Sequence, residues 1–204
     1  MALNDDAVFT AAVGYIFTAP PGTAAPTLAD LQALDLETFA TLAPAWKQIG
    51  HTSRDDMPEF GFEGGDFDVK GTWQKKRLRE VETGDPAEDS VTLVLQQFDA
   101  EALELYYGGN AANPLTEPGV FGVSGEFTPV ERALLIVLVD GPRRIGFYAP
   151  KTSIRRDDSI DLPVDNFAGL PIKSTFLNMG SRRLYDWISA LLQPSGGGTE
   201  PDDD

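Results

Sequence analysis

Catalysis needs side chains that move protons, attack carbonyls or hold metals, and this sequence has few of them. It contains one histidine, His51, and no cysteine. Without cysteine there are no disulfides, thiolate zinc sites, iron–sulfur ligands or thiol nucleophiles. A nucleophile–histidine–acid triad would have to use His51. That residue stands between Gly50 and Thr52, at the end of an expected strand and before the charged stretch Arg54-Asp55-Asp56, a setting that reads as a surface or strand-edge position. Gly122-Val123-Ser124-Gly125 lacks the spacing of a nucleophile elbow. Neither a Walker loop nor a dinucleotide fingerprint is present. Carboxylates are plentiful and cluster at Glu63/Asp66/Asp68, Asp157/Asp158/Asp161 and Asp202 to Asp204. The first cluster lacks the spaced ligands and closing Glu of a calcium loop. All three read as solvated acids, so no catalytic residue, cofactor or metal is assigned.

Charge narrows the function further. The formal net charge is −16 over 204 residues. A protein that wraps nucleic acid gains affinity by neutralising phosphates with Lys and Arg, so this balance excludes a packaging role. It is compatible with DNA that must slide past without sticking, and it favours solubility. No Lys or Arg precedes Lys47, and none lies between Glu80 and Glu131. Bases gather instead at Lys75-Lys76-Arg77-x-Arg79, Arg143-Arg144, Arg155-Arg156 and Arg182-Arg183. Two readings are open: solvated loops, or surfaces of opposite sign suited to head-to-tail self-association. The N-terminal stretch has no basic region and its apolar run is broken by Thr10, Gly14 and Thr18. It reads as neither a signal peptide nor a membrane span, and the chain as cytosolic when made.

The elements that must position these charges are mostly strands. Gly (20) and Pro (15) supply many turns, and hydrophobic content is 42%, which together favour a β-rich globular fold. Strands are expected at 13–18, 46–51, 90–98, 132–140, 144–149 and 167–177. Asp99 reads as the N-cap and Gly108 as the C-cap of a two-turn helix. A second short helix is expected within 28–42, from Leu28, Leu31, Phe39 and Leu42. A third is expected over 184–192, from Leu184, Trp187, Ile188, Leu191 and Leu192. Trp46, Trp73 and Trp187 lie in apolar patterns and read as core or interface residues.

The segment Gly61 to Glu82 carries the strongest alternation. Phe67, Val69 and Trp73 fall on one register, and Asp66, Asp68, Lys70, Thr72 and Gln74 on the other. It reads as a long amphipathic strand or hairpin arm with one apolar and one wet face. Lys70 on the wet face weakens an acidic reading of it unless it pairs with Asp68 or sits near the rim.

Three stretches then resemble a known family, the major tail (tail tube) proteins of long-tailed, non-contractile phages, especially those of actinobacteria. They are Gly14 to Thr23 followed by Ala45 to Gly50; Gly61 to Trp73 running on to Glu80-Val81; and Asp89 to Thr92 through Gln97 to Asp99, closing at Tyr106-Tyr107-Gly108. The resemblance implies a β-sandwich or half-barrel flanked by one short α-helix. It implies six copies in a ring that complete a shared inner β-barrel, and rings stacked head to tail into a tube through which DNA is ejected. The expected partners are further copies of the chain and the tape measure, tail-tip and tail-terminator proteins, with no membrane. The expected location is the virion tail, after assembly in the host cytoplasm. On this reading 1–193 form one tube domain with an N-terminal arm and a long 19–45 loop, and 194–204 a flexible acidic tail. Asp66, Asp68, Thr72 and Gln74 face the lumen. Phe67, Val69 and Trp73 pack toward the subunit body and serve assembly, and Lys75, Lys76, Arg77 and Arg79 meet acids of a neighbouring subunit. A ring subunit of a contractile tail or secretion needle, and a small β-rich enzyme or binding module, are the alternatives.

Overall fold

The computed structural model describes residues 3, 5–112 and 118–192. Its centre is the hairpin of β9 (Val130–Asp140) and β10 (Arg143–Arg156), turned at Gly141 with φ 57°. Leu134, Leu135, Ile136 and Val137 are all buried, so both faces of β9 are covered. That is why its sequence is a continuous apolar run and not an alternating one.

Among the described residues, eight strands form one antiparallel sheet. β1 (Val13–Ala19) pairs with β9 from Val13↔Val139 to Ala19↔Ala133. β2 (Lys47–Gln48) lies outside β1. On the far side, β10 splits its edge. Its later residues pair with β11 (Leu170–Phe176), which leads on to β6 (Glu88–Leu95) and β3 (Glu59–Glu63). Its earlier residues pair with β12 (Asp186–Ser189). The ladder to β9 shifts register between Ala149 and Thr152. Pro150 sits there without an N–H to donate, as expected at a bulge. The remaining strands make two small sheets, β4 (Phe67–Lys70) with β5 (Arg79–Glu82), and β7 (Ala111–Ala112) with β8 (Gly122–Val123).

Two apolar clusters sandwich the central strands. One joins Ile16, Val91, Leu93, Ile136, Phe147, Ile154 and Ile172 to the helix α2 (Ala100–Tyr107) through Ala102, Leu105 and Tyr106. Asp99 caps that helix by accepting from the Ala102 N–H at 2.9 Å, and Gly108 closes it at φ 69°, as the sequence suggested. The other cluster sets Phe17, Leu135, Val137 and Tyr148 against Leu31, Leu34 and Leu42 from the long 19–45 loop and Trp46 just after it. The fold is therefore mainly β with few helices, as the resemblance implied. Barrel closure is not a property of the single chain.

Three expectations need correction. The helix expected within 28–42 is only α1 (Leu28–Gln32), capped by the reciprocal Thr27–Asp30 box. Downstream, the Asp35 carboxylate accepts from the Glu37 N–H and the Thr38 hydroxyl, a local turn that competes with helix, and Phe39 turns left-handed at φ 52°. Leu31 and Leu42 are still buried, so the apolar spacing marked burial correctly and helix wrongly. The strand expected over 46–51 is ordered as a ladder only at Lys47–Gln48. Beyond it the chain leaves β1 for β6, where Thr52 bridges Leu95 and the Ser53 N–H donates to the Val94 carbonyl. Finally, the helix expected over 184–192 is β12 followed by a single 3₁₀ turn (Ala190–Leu192). Tyr185 and Trp187 both reach Phe147, at ring-centroid distances of 5.4 and 5.0 Å, while Ile188 joins the opposite cluster. The operative period is two, and a free edge on β10 decided it.

Candidate assembly surface

The amphipathic ribbon is one long hairpin, interrupted midway. β3 and β6 pair up to Glu63↔Glu88, and β4 and β5 resume at Phe67↔Glu82. Between the two ladders Gly64 and Gly65 adopt φ of 78° and 71°. A Cβ on Gly64 would lie 2.8 Å from the Pro86 carbonyl oxygen. The Gly65 N–H donates to the Asp85 carbonyl at 2.9 Å, and the Thr83 N–H to the Asp66 carbonyl at 2.7 Å. These two bonds hold the outer half of the hairpin on its root. The root is tied to β11, where Lys173 donates to Glu63 at 2.8 Å and the Thr175 hydroxyl to Glu88 at 3.0 Å. The bond from Lys173 and then its ammonium charge hold the Glu63 carboxyl below its ordinary pKa.

The tip is a tight turn. Thr72 and Lys75 exchange backbone bonds at 2.7 and 3.1 Å, so Trp73 and Gln74 occupy its apex. Gly71 is needed beside it, because a Cβ there would meet the Lys76 carbonyl oxygen at 2.3 Å. Strand alternation thus holds only over Phe67–Lys70, with Asp66 just before it and Thr72 and Gln74 in the turn. The clean division into apolar and wet faces also fails. Residues opposite one another share a face, and the register sets Val69 against Glu80 and Asp68 against Val81. Lys70 pairs with Asp68 at 2.7 Å, which neutralises the base that weakened the acidic reading.

β4 and β5 contact chiefly each other. Phe67, Val69 and Leu78 are more than half exposed and Trp73 is 97% exposed, so within the single chain these side chains do not pack on the body. Lys75, Lys76, Arg77 and Arg79 are exposed and form no ion pair with a described residue.

A second apolar surface was not singled out by the sequence. The loop 157–169, between β10 and β11, exposes Leu162 at 71%, Val164 at 104% and Phe167 at 77%. It is anchored at its start, where the Tyr106 hydroxyl donates to the Asp158 carbonyl at 2.7 Å and the Asp157 N–H to the Pro171 carbonyl at 3.0 Å. Burial pushes the Tyr106 hydroxyl above the ordinary tyrosine pKa. The signal available in the sequence was an apolar-rich stretch, Ile160 to Phe167, broken by Pro163 and by acids and matching no period. Phe167 was assigned to the following strand, which begins at Leu170.

The exposed His51 side chain makes no hydrogen bond or ion pair with a described residue. Among the described residues no three His, Asp or Glu side chains are grouped to hold a metal. Among the described residues no helix is long and apolar enough to cross a membrane. The charges flanking the groove between β1 and α2 pair internally, Lys47 with Glu101 and Arg132 with Glu104. What the surface offers is exposed apolar area for another chain.

The family model for the phage tail tube protein matches residues 1–197. The chain belongs to the phage tail tube protein family. It is 52% identical over 202 residues to "Major tail protein Gp23" of Mycobacterium phage D29, covering 97% of this chain and 100% of the relative. It is 52% identical over 195 residues to "Major tail protein Gp23" of Mycobacterium phage L5, covering 94% and 96%. This tail tube protein is accordingly a structural component of the virion tail and not an enzyme. Membership implies association with further copies of itself and with other tail proteins.

Proposed function

We propose that six copies of this chain form a ring, and that rings stack head to tail into the tube through which phage DNA is ejected. The observation that carries this reading is the hairpin 67–82. It is held only at its root and presents Phe67, Val69 and Trp73 to solvent. Exposing that much apolar area is unfavourable for a free surface and is relieved when another chain covers it. In the ring each hairpin joins its neighbours, so that six subunits close a barrel that one leaves open and no free edge remains. Residues 1–193 act as one tube domain, and 194–204 as an acidic appendage lying outside the described residues. Tape measure, tail-tip and tail-terminator proteins meet the tube at its core and its two ends.

Asp66, Asp68, Thr72 and Gln74 line the lumen. The Lys70–Asp68 pair is neutral and Asp66 supplies net negative charge, so phosphates are repelled and not captured. Replacing Asp66→Lys together with Asp68→Lys leaves tube assembly intact and slows DNA release, measured as ejection kinetics from phage carrying the variant. Normal ejection from such phage would remove these acids from the lumen.

A further inference from the structure

Two exposed apolar surfaces of this chain are rooted at opposite ends of the same strand. The hairpin leaves β6 at Glu88, and the loop 157–169 enters β11 at Leu170, which pairs with Leu95 at the other end of β6. Eight residues of strand separate the two roots by roughly 25 Å. The surfaces also differ in sign. Residues 74–79 (QKKRLR) hold four bases and no acid, and 157–169 hold four acids, Asp157, Asp158, Asp161 and Asp165, and no base. The neighbouring segment 54–59 adds Asp55, Asp56 and Glu59 against the single base Arg54, and Asn166 donates to Asp55 at 3.3 Å to hold it beside the loop.

We propose that the hairpin tip of one copy docks on the 157–169 loop of a second copy, in the next ring of the stack. Trp73, at the apex of the turn, and Leu78 meet Leu162, Val164 and Phe167, while Lys75, Lys76 and Arg77 face Asp161 and Asp165. The inference rests on the tube reading and adds to it which two surfaces meet between rings. Apolar area supplies the attraction and charge the choice of partner. Two tips, or two loops, brought together would set like charges against each other, so only the head-to-tail pairing is favoured. A contact between different patches related by translation also propagates, which a tube requires and a closed dimer does not.

The chain has no cysteine, so introduced thiols report one contact without interference. A Trp73→Cys copy and a Val164→Cys copy are mixed, assembled and oxidised. Both positions are almost fully exposed, so neither change disturbs the fold. The mixture gives covalent dimers, and a chain carrying both changes gives a ladder of covalent oligomers. Assembled tubes without cross-links would overturn the docking while leaving the tube reading standing. A parent chain that never assembles would instead overturn the tube reading. Should the cysteine at position 73 itself block assembly, a charge exchange decides. Lys75→Glu with Lys76→Glu stops stacking, as does Asp161→Lys with Asp165→Lys, and mixing the two restores alternating stacks. Failure of the mixture to restore them, with the parent stacking normally, rejects the contact.

Discussion

Lys173 is almost buried on β11, and its ammonium donates to Glu63 at the root of the hairpin. This is where the projecting element is anchored to the body, and its pH dependence has a definite sign. Glu63 has a folded pKa below its ordinary value of 4.5, first because of the hydrogen bond from Lys173 and then because of its charge. A lowered carboxyl contributes stability that is complete above the ordinary value and is lost as the pH falls through the folded one. Glu63→Gln therefore lowers the melting temperature at neutral pH, and the gap to the parent closes as the pH is taken below 4.5. Solvent screens a partner this exposed, so the gap is small. A second residue-scale prediction concerns Gly64, with φ 78° and the Pro86 carbonyl in the path of any Cβ. Gly64→Ala costs about 2 kcal/mol in chemical denaturation, from left-handed strain and the displaced carbonyl. Gly84→Ala, equally left-handed at φ 104° but with open space around it, separates the two contributions by costing less.

At the scale of elements, the hairpin 67–82 contributes little to the fold of its own chain. Excising it at the Gly65/Thr83 neck and rejoining the root with a short turn shifts the melting temperature by less than about 3 °C, because no core side chain is lost. The same excision abolishes assembly, seen by light scattering. A large drop in stability would mean that the hairpin serves the monomer. Much of this organisation was legible in the sequence. β9 announced itself by an unbroken apolar run, and α2 by Asp99 and Gly108, because burial on both faces and caps leave local marks. The hairpin was legible as an amphipathic ribbon, but its mixed faces were not, since they depend on which residue of β5 lies opposite Val69. β12 was misread because Leu184, Trp187, Ile188 and Leu191 satisfy a helical spacing as well as a strand one. Only the free edge on β10, a tertiary fact, separates the two. The loop 157–169 escaped notice because exposed apolar residues without a period look like ordinary loop until their burial is known.

At the scale of the whole molecule, a net charge of −16 would disfavour crowding many copies together unless the charges were segregated. The bases at the hairpin tip and the acids beside the opposite loop are such a segregation, and in the proposed stack they would give the subunit its direction. In the proposed tube the same excess of acid would keep the lumen from binding the DNA that moves through it. A tube built this way needs no catalytic group, which fits a sequence whose one histidine is exposed and unengaged. Electron cryomicroscopy of tubes assembled from the purified chain shows whether the hairpin 67–82 is an assembly element. The expected reconstruction has rings of six with each hairpin in the wall, Phe67 and Val69 buried against a neighbouring copy, and Asp66 and Asp68 turned to the lumen. A reconstruction with the hairpin projecting into solvent on the outside of the tube, its apolar side chains uncovered, would contradict it.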